Sequence, residues 1–138
     1  MTVEGISHIT LIVRDLERTG NFFISVLGAK EVYASAERIF SVSKERFFLV
    51  GETWIAIMEG DSLSERTYNH IAFKIPESRF EDFRQRLEKA QVEFREGRPR
   101  VPGEGRSLYF YDYDNHLFEL HTGTLEERLR TYEEKTNP

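Results

Sequence analysis

The chain writes one unit twice. Ser7-His8-Ile9-Thr10-Leu11-Ile12-Val13 returns 62 positions later as Asn69-His70-Ile71-Ala72-Phe73-Lys74-Ile75. Each copy opens its apolar alternation on His-Ile, the period-2 pattern of a half-buried strand. Each is followed by a stretch with helical spacing, residues 15–27 and residues 77–90. A repeat of this length is one supersecondary module, and two such modules must share a core. Paired about a pseudo-two-fold axis, they would bring the matched histidines toward one point. A metal site is therefore the reading to test.

The first module runs over about residues 6–60. Asp15 suits a helix N-cap, and Leu16, Phe22, Phe23, Val26 and Leu27 form a helical stripe that Gly28 ends. Strand patterns follow at residues 30–33, 39–42, 47–50 and 53–58, giving the order β-α-β-β-β. A polar linker, residues 59–66, leads to the second module at about residues 67–123. There Pro76 enters a helix carrying Phe80, Phe83, Leu87 and Ala90. Strands are expected at residues 91–94, 107–111 and 117–121, the last two joined by the turn Asp112-Tyr113-Asp114-Asn115. Thr124-Leu125-Glu126-Glu127 is a capping-box pattern for a terminal helix over about residues 124–133, with Leu125, Leu129 and Tyr132 on one face. Residues 133–138 look frayed. The expected fold class is α+β, a single domain over residues 1–138 built from paired βαβββ modules.

Composition narrows the chemistry. A chain of 138 residues with eleven Phe and six Tyr has enough apolar surface for one globular core. It has no cysteine. Disulfides, thiolate ligands and a cysteine nucleophile are excluded, leaving His, Asp and Glu as the strong metal ligands. No signal-peptide pattern and no apolar run of membrane-span length stands out, so a cytoplasmic protein with no membrane partner is expected. A net charge of −5 argues against non-specific nucleic-acid binding. Yet Arg95, Arg98, Arg100 and Arg106 crowd a segment that also holds Gly97, Pro99, Pro102, Gly103 and Gly105. A basic, glycine-rich loop in an acidic chain suits a small anionic ligand; its plainer reading is a solvated loop.

Aligning Met58-Glu59-Gly60 with His121-Thr122-Gly123, an offset of 63, sets Glu119 opposite Ala56. The second module then offers His70 and Glu119, the first only His8. Two imidazoles and one carboxylate leave coordination positions open, which suits an octahedral divalent ion such as Mn²⁺ or Fe²⁺. A histidine opening a strand is usually just a satisfied half-buried residue, and Glu119 could be an ordinary ion-pair partner. The matched repeat position is what favours ligation. His121, two residues beyond Glu119 and on the same strand face, can replace it as ligand and ranks second. His116 is expected in solvent.

The paired modules with His8, His70 and Glu119 resemble the vicinal oxygen chelate, or glyoxalase/bleomycin resistance, superfamily. The run Glu104-Gly105-Arg106-Ser107-Leu108-Tyr109-Phe110, then Phe118-Glu119-Leu120-His121 and Arg128, is similar to the fosfomycin-resistance proteins. Residues 41–49 and 54–63, with Arg98-Pro99-Arg100-Val101 ahead of Gly103, resemble their FosX-type hydrolase branch. The glutathione-transferase pattern has a serine where Gly103 stands.

The resemblance implies a Mn²⁺ enzyme, with Fe²⁺, Co²⁺ or Ni²⁺ as alternative ions, in which water opens the epoxide of the phosphonate fosfomycin. It implies that Glu45 acts as general base and that Ser107, Tyr109 and Arg128 stand at phosphonate-binding positions. One arginine of the 95–106 segment, here Arg100, is expected to join them. Thr10 is expected near the epoxide, and Trp54 and Tyr68 along the cavity wall. The resemblance also implies a homodimer with modules paired across chains, so that His8 can come from a different subunit than His70 and Glu119. On chemistry alone, Glu45 in the charged triplet Lys44-Glu45-Arg46 ranks no higher than Glu37 or Glu104. Tyr109 reads equally as core packing, and Arg128 as an exposed helix arginine paired with Glu126 or Glu127. Two other functions fit the same pattern: a metal-dependent glutathione or bacillithiol transferase, and a non-catalytic drug-sequestering protein.

Overall fold

The structure is a computed structural model that describes residues 1–98 and 104–136. In chain order its elements are β1 (His8–Val13), α1 (Leu16–Leu27), β2 (Lys30–Ala34), β3 (Glu45–Val50), β4 (Thr53–Glu59) and β5 (His70–Lys74). A 3-10 turn (Glu77–Arg79) then runs into α2 (Phe80–Lys89), followed by β6 (Phe94–Glu96), β7 (Ser107–Tyr111), β8 (Leu117–His121) and α3 (Leu125–Thr136). They gather into two compact units. One holds residues 1–66 with the hairpin tip 112–115, the other residues 67–111 and 116 onward.

In the first unit the strands lie in the order β1-β4-β3-β2, with β1 and β4 parallel and the other pairs antiparallel. Asp15 caps α1 by accepting from the Arg18 N–H at 3.0 Å. Gly28 closes the helix at φ 67°, a left-handed turn that glycine adopts without strain. The buried stripe of α1, Phe22, Phe23, Val26 and Leu27, covers Leu11, Val13, Phe48, Ile55 and Ile57. Phe23 meets Phe48 edge-on at 5.5 Å. Each such side chain contributes about 1.5–3 kcal/mol on burial, so this face sets the register.

The second unit repeats the plan, with order β5-β8-β7-β6 and β5 parallel to β8. Phe80 and Leu87 of the 77–89 helical stretch are buried with Leu108, Phe110, Phe118 and Leu120. The two registers match. Thr10 pairs with Ala56 in one unit, and Ala72 pairs with Glu119 in the other, as the internal alignment requires.

Four expectations are corrected. Residues 39–42 form no strand, and Ile39, Phe40 and Val42 are exposed. Ala34 pairs with Arg46 and the Ser35 N–H with the Glu45 carbonyl, so residues 35–44 are looped out with no strand to pair with. Residues 91–94 are mostly a turn, set by Gln91 at φ 57°; the strand begins at Phe94. The terminal helix continues to Thr136 rather than fraying at 133, and Leu125, Leu129 and Tyr132 on it are exposed. Finally, the 112–115 tip groups with the first unit: Asp114 Oδ1 accepts from Ser62 Oγ at 2.6 Å and from the Arg14 N–H at 3.0 Å.

Candidate metal centre

Strand alternation sorts the side chains of each sheet into a helix-facing set and an opposite set. In the second unit the opposite set is His70 and Ala72 on β5, Glu119 and His121 on β8, Ser107 and Tyr109 on β7, and Arg95 on β6. His70 Nε2 stands 3.0 Å from Glu119 Oε1. His70 Nδ1 lies 2.7 Å from the Tyr68 carbonyl, which can only accept, so Nδ1 carries the proton. His70 therefore turns its other ring nitrogen, Nε2, toward a carboxylate oxygen. Two acceptors this close need a cation between them, either an added proton or a metal ion. Ligand atoms at right angles, about 2.1 Å from one ion, lie about 3 Å apart, so the pair fits two adjacent positions of an octahedral divalent ion. The carbonyl behind His70 is the kind of outer support that metal-bound imidazoles require.

Glu119 is 5% exposed and its second oxygen accepts from Ser107 Oγ at 2.6 Å. The same Oγ is 2.7 Å from His121 Nδ1, and His121 Nε2 is 3.2 Å from Arg128 Nη2. Arg128 is thus turned to His121 rather than to Glu126 or Glu127. The Tyr109 hydroxyl is 3.4 Å from that of Tyr68, and its ring meets His70 edge-on at 5.8 Å. Burial, then the hydrogen bond with Tyr68 and the charge of Glu119, push the Tyr109 phenol up to about 12, so it remains a neutral donor.

In the first unit the set turned from α1 is His8 and Thr10 on β1, Trp54 and Ala56 on β4, and Glu45 and Phe47 on β3. The His8 ring lies against Trp54 with centroids 4.2 Å apart, and its Nδ1 is 3.0 Å from Ser7 Oγ. That leaves Nε2 as the ring atom that could hold a metal ion. Trp54 Nε1–H is buried without an acceptor among the described residues, a donor with capacity to spare. Thr10 is exposed two residues beyond His8. Glu45, although it sits in a charged triplet, is buried at 9% exposure. Its neighbours pair elsewhere, Lys44 with Glu37 at 2.9 Å and Arg46 with Glu31 at 3.4 Å. The Glu45 carboxylate has no hydrogen-bond or ion-pair partner among the described residues.

The structure divides the basic segment. Arg106 lies over the Phe80 ring at 3.7 Å and within 4 Å of Glu77 and Glu81, so it serves the helix side of the sheet. Arg95 pairs in register with Tyr109 and shares the face of Glu119, a placement that clustering along the sequence did not single out. Arg100 lies outside the described residues. His116 is half-buried rather than in solvent. Among the described residues, no group of three or more His, Asp or Glu side chains is arranged to hold a metal ion. No described helix is long and apolar enough to cross a membrane.

Comparison with known proteins places these features in context. The pattern of the Glyoxalase/Bleomycin resistance protein/Dioxygenase superfamily matches residues 5–120. The fosfomycin resistance protein FosX of Listeria monocytogenes is 57% identical over 132 residues, covering 96% of this chain and 99% of its own. A crystal structure of a mutant of Listeria monocytogenes FosX, complexed with Mn(II) and 1S,2S-dihydroxypropylphosphonic acid, superposes with a TM-score of 0.85 at 54% identity, covering 95% of this chain and 99% of that one. The metallothiol transferase FosB of Staphylococcus saprophyticus is more distant, 37% identical over 137 residues and covering 96% of this chain and 86% of its own.

Proposed function

Because this chain belongs to the Glyoxalase/Bleomycin resistance protein/Dioxygenase superfamily, and within it to the fosfomycin resistance proteins, we propose that it hydrates fosfomycin in a Mn(II)-dependent reaction. The observation that carries the reading is the placement of His70, its Nδ1 held by the Tyr68 carbonyl and its Nε2 turned to Glu119 Oε1 at 3.0 Å. His8, His70 and Glu119 are the ligands. Register supports the set: His8 and His70 open equivalent strands, and Glu119 fills the position that Ala56 leaves without a ligand.

Bound Mn(II) supplies a Lewis acid for the oxygen of the opening epoxide. The chain's own residues do the rest. Glu45 takes a proton from the attacking water as the new carbon–oxygen bond forms and the epoxide carbon–oxygen bond breaks. Return of that proton to the alkoxide gives the vicinal diol phosphonate. A carboxylate on a largely buried residue, without a cationic partner among the described residues, is suited to this; general-base help of this kind is worth roughly 10²–10⁴-fold. Arg128 and Arg100 supply charge-assisted donors for the phosphonate, with Arg95 on the same face as Glu119. Tyr109, neutral, adds a hydroxyl donor; Ser107 borders the phosphonate position with its own proton turned to Glu119, while Thr10, Trp54 and Tyr68 line the approach. The working form is a cytoplasmic homodimer.

The FosB relative keeps a second reading in view, transfer of an external thiol to the same epoxide. The deciding experiment is fosfomycin with purified protein and Mn(II), with and without glutathione or bacillithiol, followed by phosphorus NMR. Diol formation without thiol supports hydration. Turnover only with thiol replaces it.

A further inference from the structure

We infer that His121 is a two-ended positioning residue, its Nδ1 end setting Glu119 through Ser107 and its Nε2 end setting Arg128. The inference rests on the reading above, but the hydrogen bonds that carry it stand on their own.

Their direction is fixed by elimination. An ionised carboxylate only accepts, so the single proton of Ser107 Oγ is spent on Glu119 Oε2, at 2.6 Å. The same Oγ is 2.7 Å from His121 Nδ1 and must accept there, so Nδ1 carries hydrogen. A guanidinium only donates, so His121 Nε2, 3.2 Å from Arg128 Nη2, is the acceptor. One tautomer, with hydrogen on Nδ1, satisfies these contacts, and the same Nδ1 stands 3.4 Å from Glu119 Oε2. Protons therefore point one way along the chain, from Arg128 through His121 and Ser107 to the oxygen of Glu119 that does not face His70. Both ring nitrogens of His121 are engaged.

The backbone is shaped around this imidazole. At Gly123 an added Cβ would come within 2.8 Å of both His121 Nε2 and the Glu104 carbonyl oxygen. A glycine is required for the chain to leave β8 past the ring and enter α3. That helix is then held at both ends. The Thr124 hydroxyl accepts from the Glu127 N–H at 3.1 Å, and Lys135 Nζ donates to the buried Glu104 at 2.7 Å. Arg128, one turn into α3, is delivered to His121 by these anchors.

Two isosteres separate the ends. His121→Asn can present an amide N–H near the Nδ1 position, while His121→Gln can present an amide oxygen near the Nε2 position. Manganese affinity is read without substrate from the free-ion resonance, and KM and kcat for fosfomycin are read at saturating Mn(II). In His121→Asn, KM should rise about tenfold while Mn(II) affinity stays within about twofold of wild type. In His121→Gln, Mn(II) affinity should fall about tenfold or more while KM holds. Variants that shift both quantities together, or neither, overturn the inference. Should either variant fail to fold, the imidazole nitrogen spectrum of the wild-type protein decides: protonation of His121 at Nδ1 alone supports the inference, and protonation at Nε2 overturns it. A wild-type protein that neither binds Mn(II) nor converts fosfomycin overturns the functional reading instead.

Discussion

Glu45 and Ser107 occupy one position in two copies of the same unit. Glu45 opens β3 opposite Met58, Ser107 opens β7 opposite His121, and in the internal alignment Met58 and His121 coincide. From that shared place the copies have diverged. One holds a buried carboxylate with no partner among the described residues, the other a hydroxyl engaged by Glu119 and His121. The repeat thus carries a carboxylate at this position in one copy and a hydroxyl in the other.

Glu45→Gln keeps the shape and removes the basic lone pair. Mn(II) and fosfomycin binding should persist in titration calorimetry, while kcat falls by roughly 10²–10⁴-fold. Retained turnover would take Glu45 out of the reaction.

Much of this was legible in the sequence, for a physical reason. The His-Ile opening and the period-2 strands are local signals that the repeat doubles, and Asp15 and Gly28 add helix caps in the first copy. The alignment of Glu119 with Ala56 follows from strand register alone. What failed depended on distant partners. The apolar alternation at Phe40 and Val42 resembles a strand but has no neighbour to pair with. The length of α3 is anchored by Glu104, a residue 31 positions from Lys135. Arg106 and Arg95 look alike in a basic segment until register sends them to opposite faces. The burial of Glu45 is invisible in a triplet whose flanking cations turn to Glu37 and Glu31.

Tyr109 gives a pH signature. In metal-free protein its phenol should resist ionisation until about pH 12, lagging the other tyrosines in an ultraviolet titration. An unfolded tyrosine ionises near 10, so the raised native value favours the fold below about pH 10 and that contribution is lost as pH climbs toward 12. Tyr109→Phe should flatten this alkaline loss in denaturant unfolding. An unchanged alkaline limb would contradict it.

Subunit sharing of the ligands can be read by mixing. His8→Ala and His70→Ala should each be inactive alone. If the modules pair across two chains, co-refolded mixtures contain dimers with one intact site, restoring about a quarter of wild-type activity for random pairing. No recovery would put all three ligands in one chain.

The anchor of α3 is a stability prediction. Lys135→Met leaves the carboxylate of Glu104, which is 2% exposed, without its lysine. Unfolding free energy should drop by about 1–3 kcal/mol, with part of it recovered in the Glu104→Gln double variant. A single variant as stable as wild type would show that Lys135 does not hold the helix.

The most direct test of the central claim is oxygen tracing. Fosfomycin is incubated with the Mn(II)-loaded protein in ¹⁸O-labelled water without any thiol, and the product is weighed by mass spectrometry. Hydration through Glu45 predicts a dihydroxypropylphosphonate carrying one labelled oxygen, lost together with activity on chelation and in Glu119→Ala. Unlabelled product, or none until a thiol is added, would contradict it.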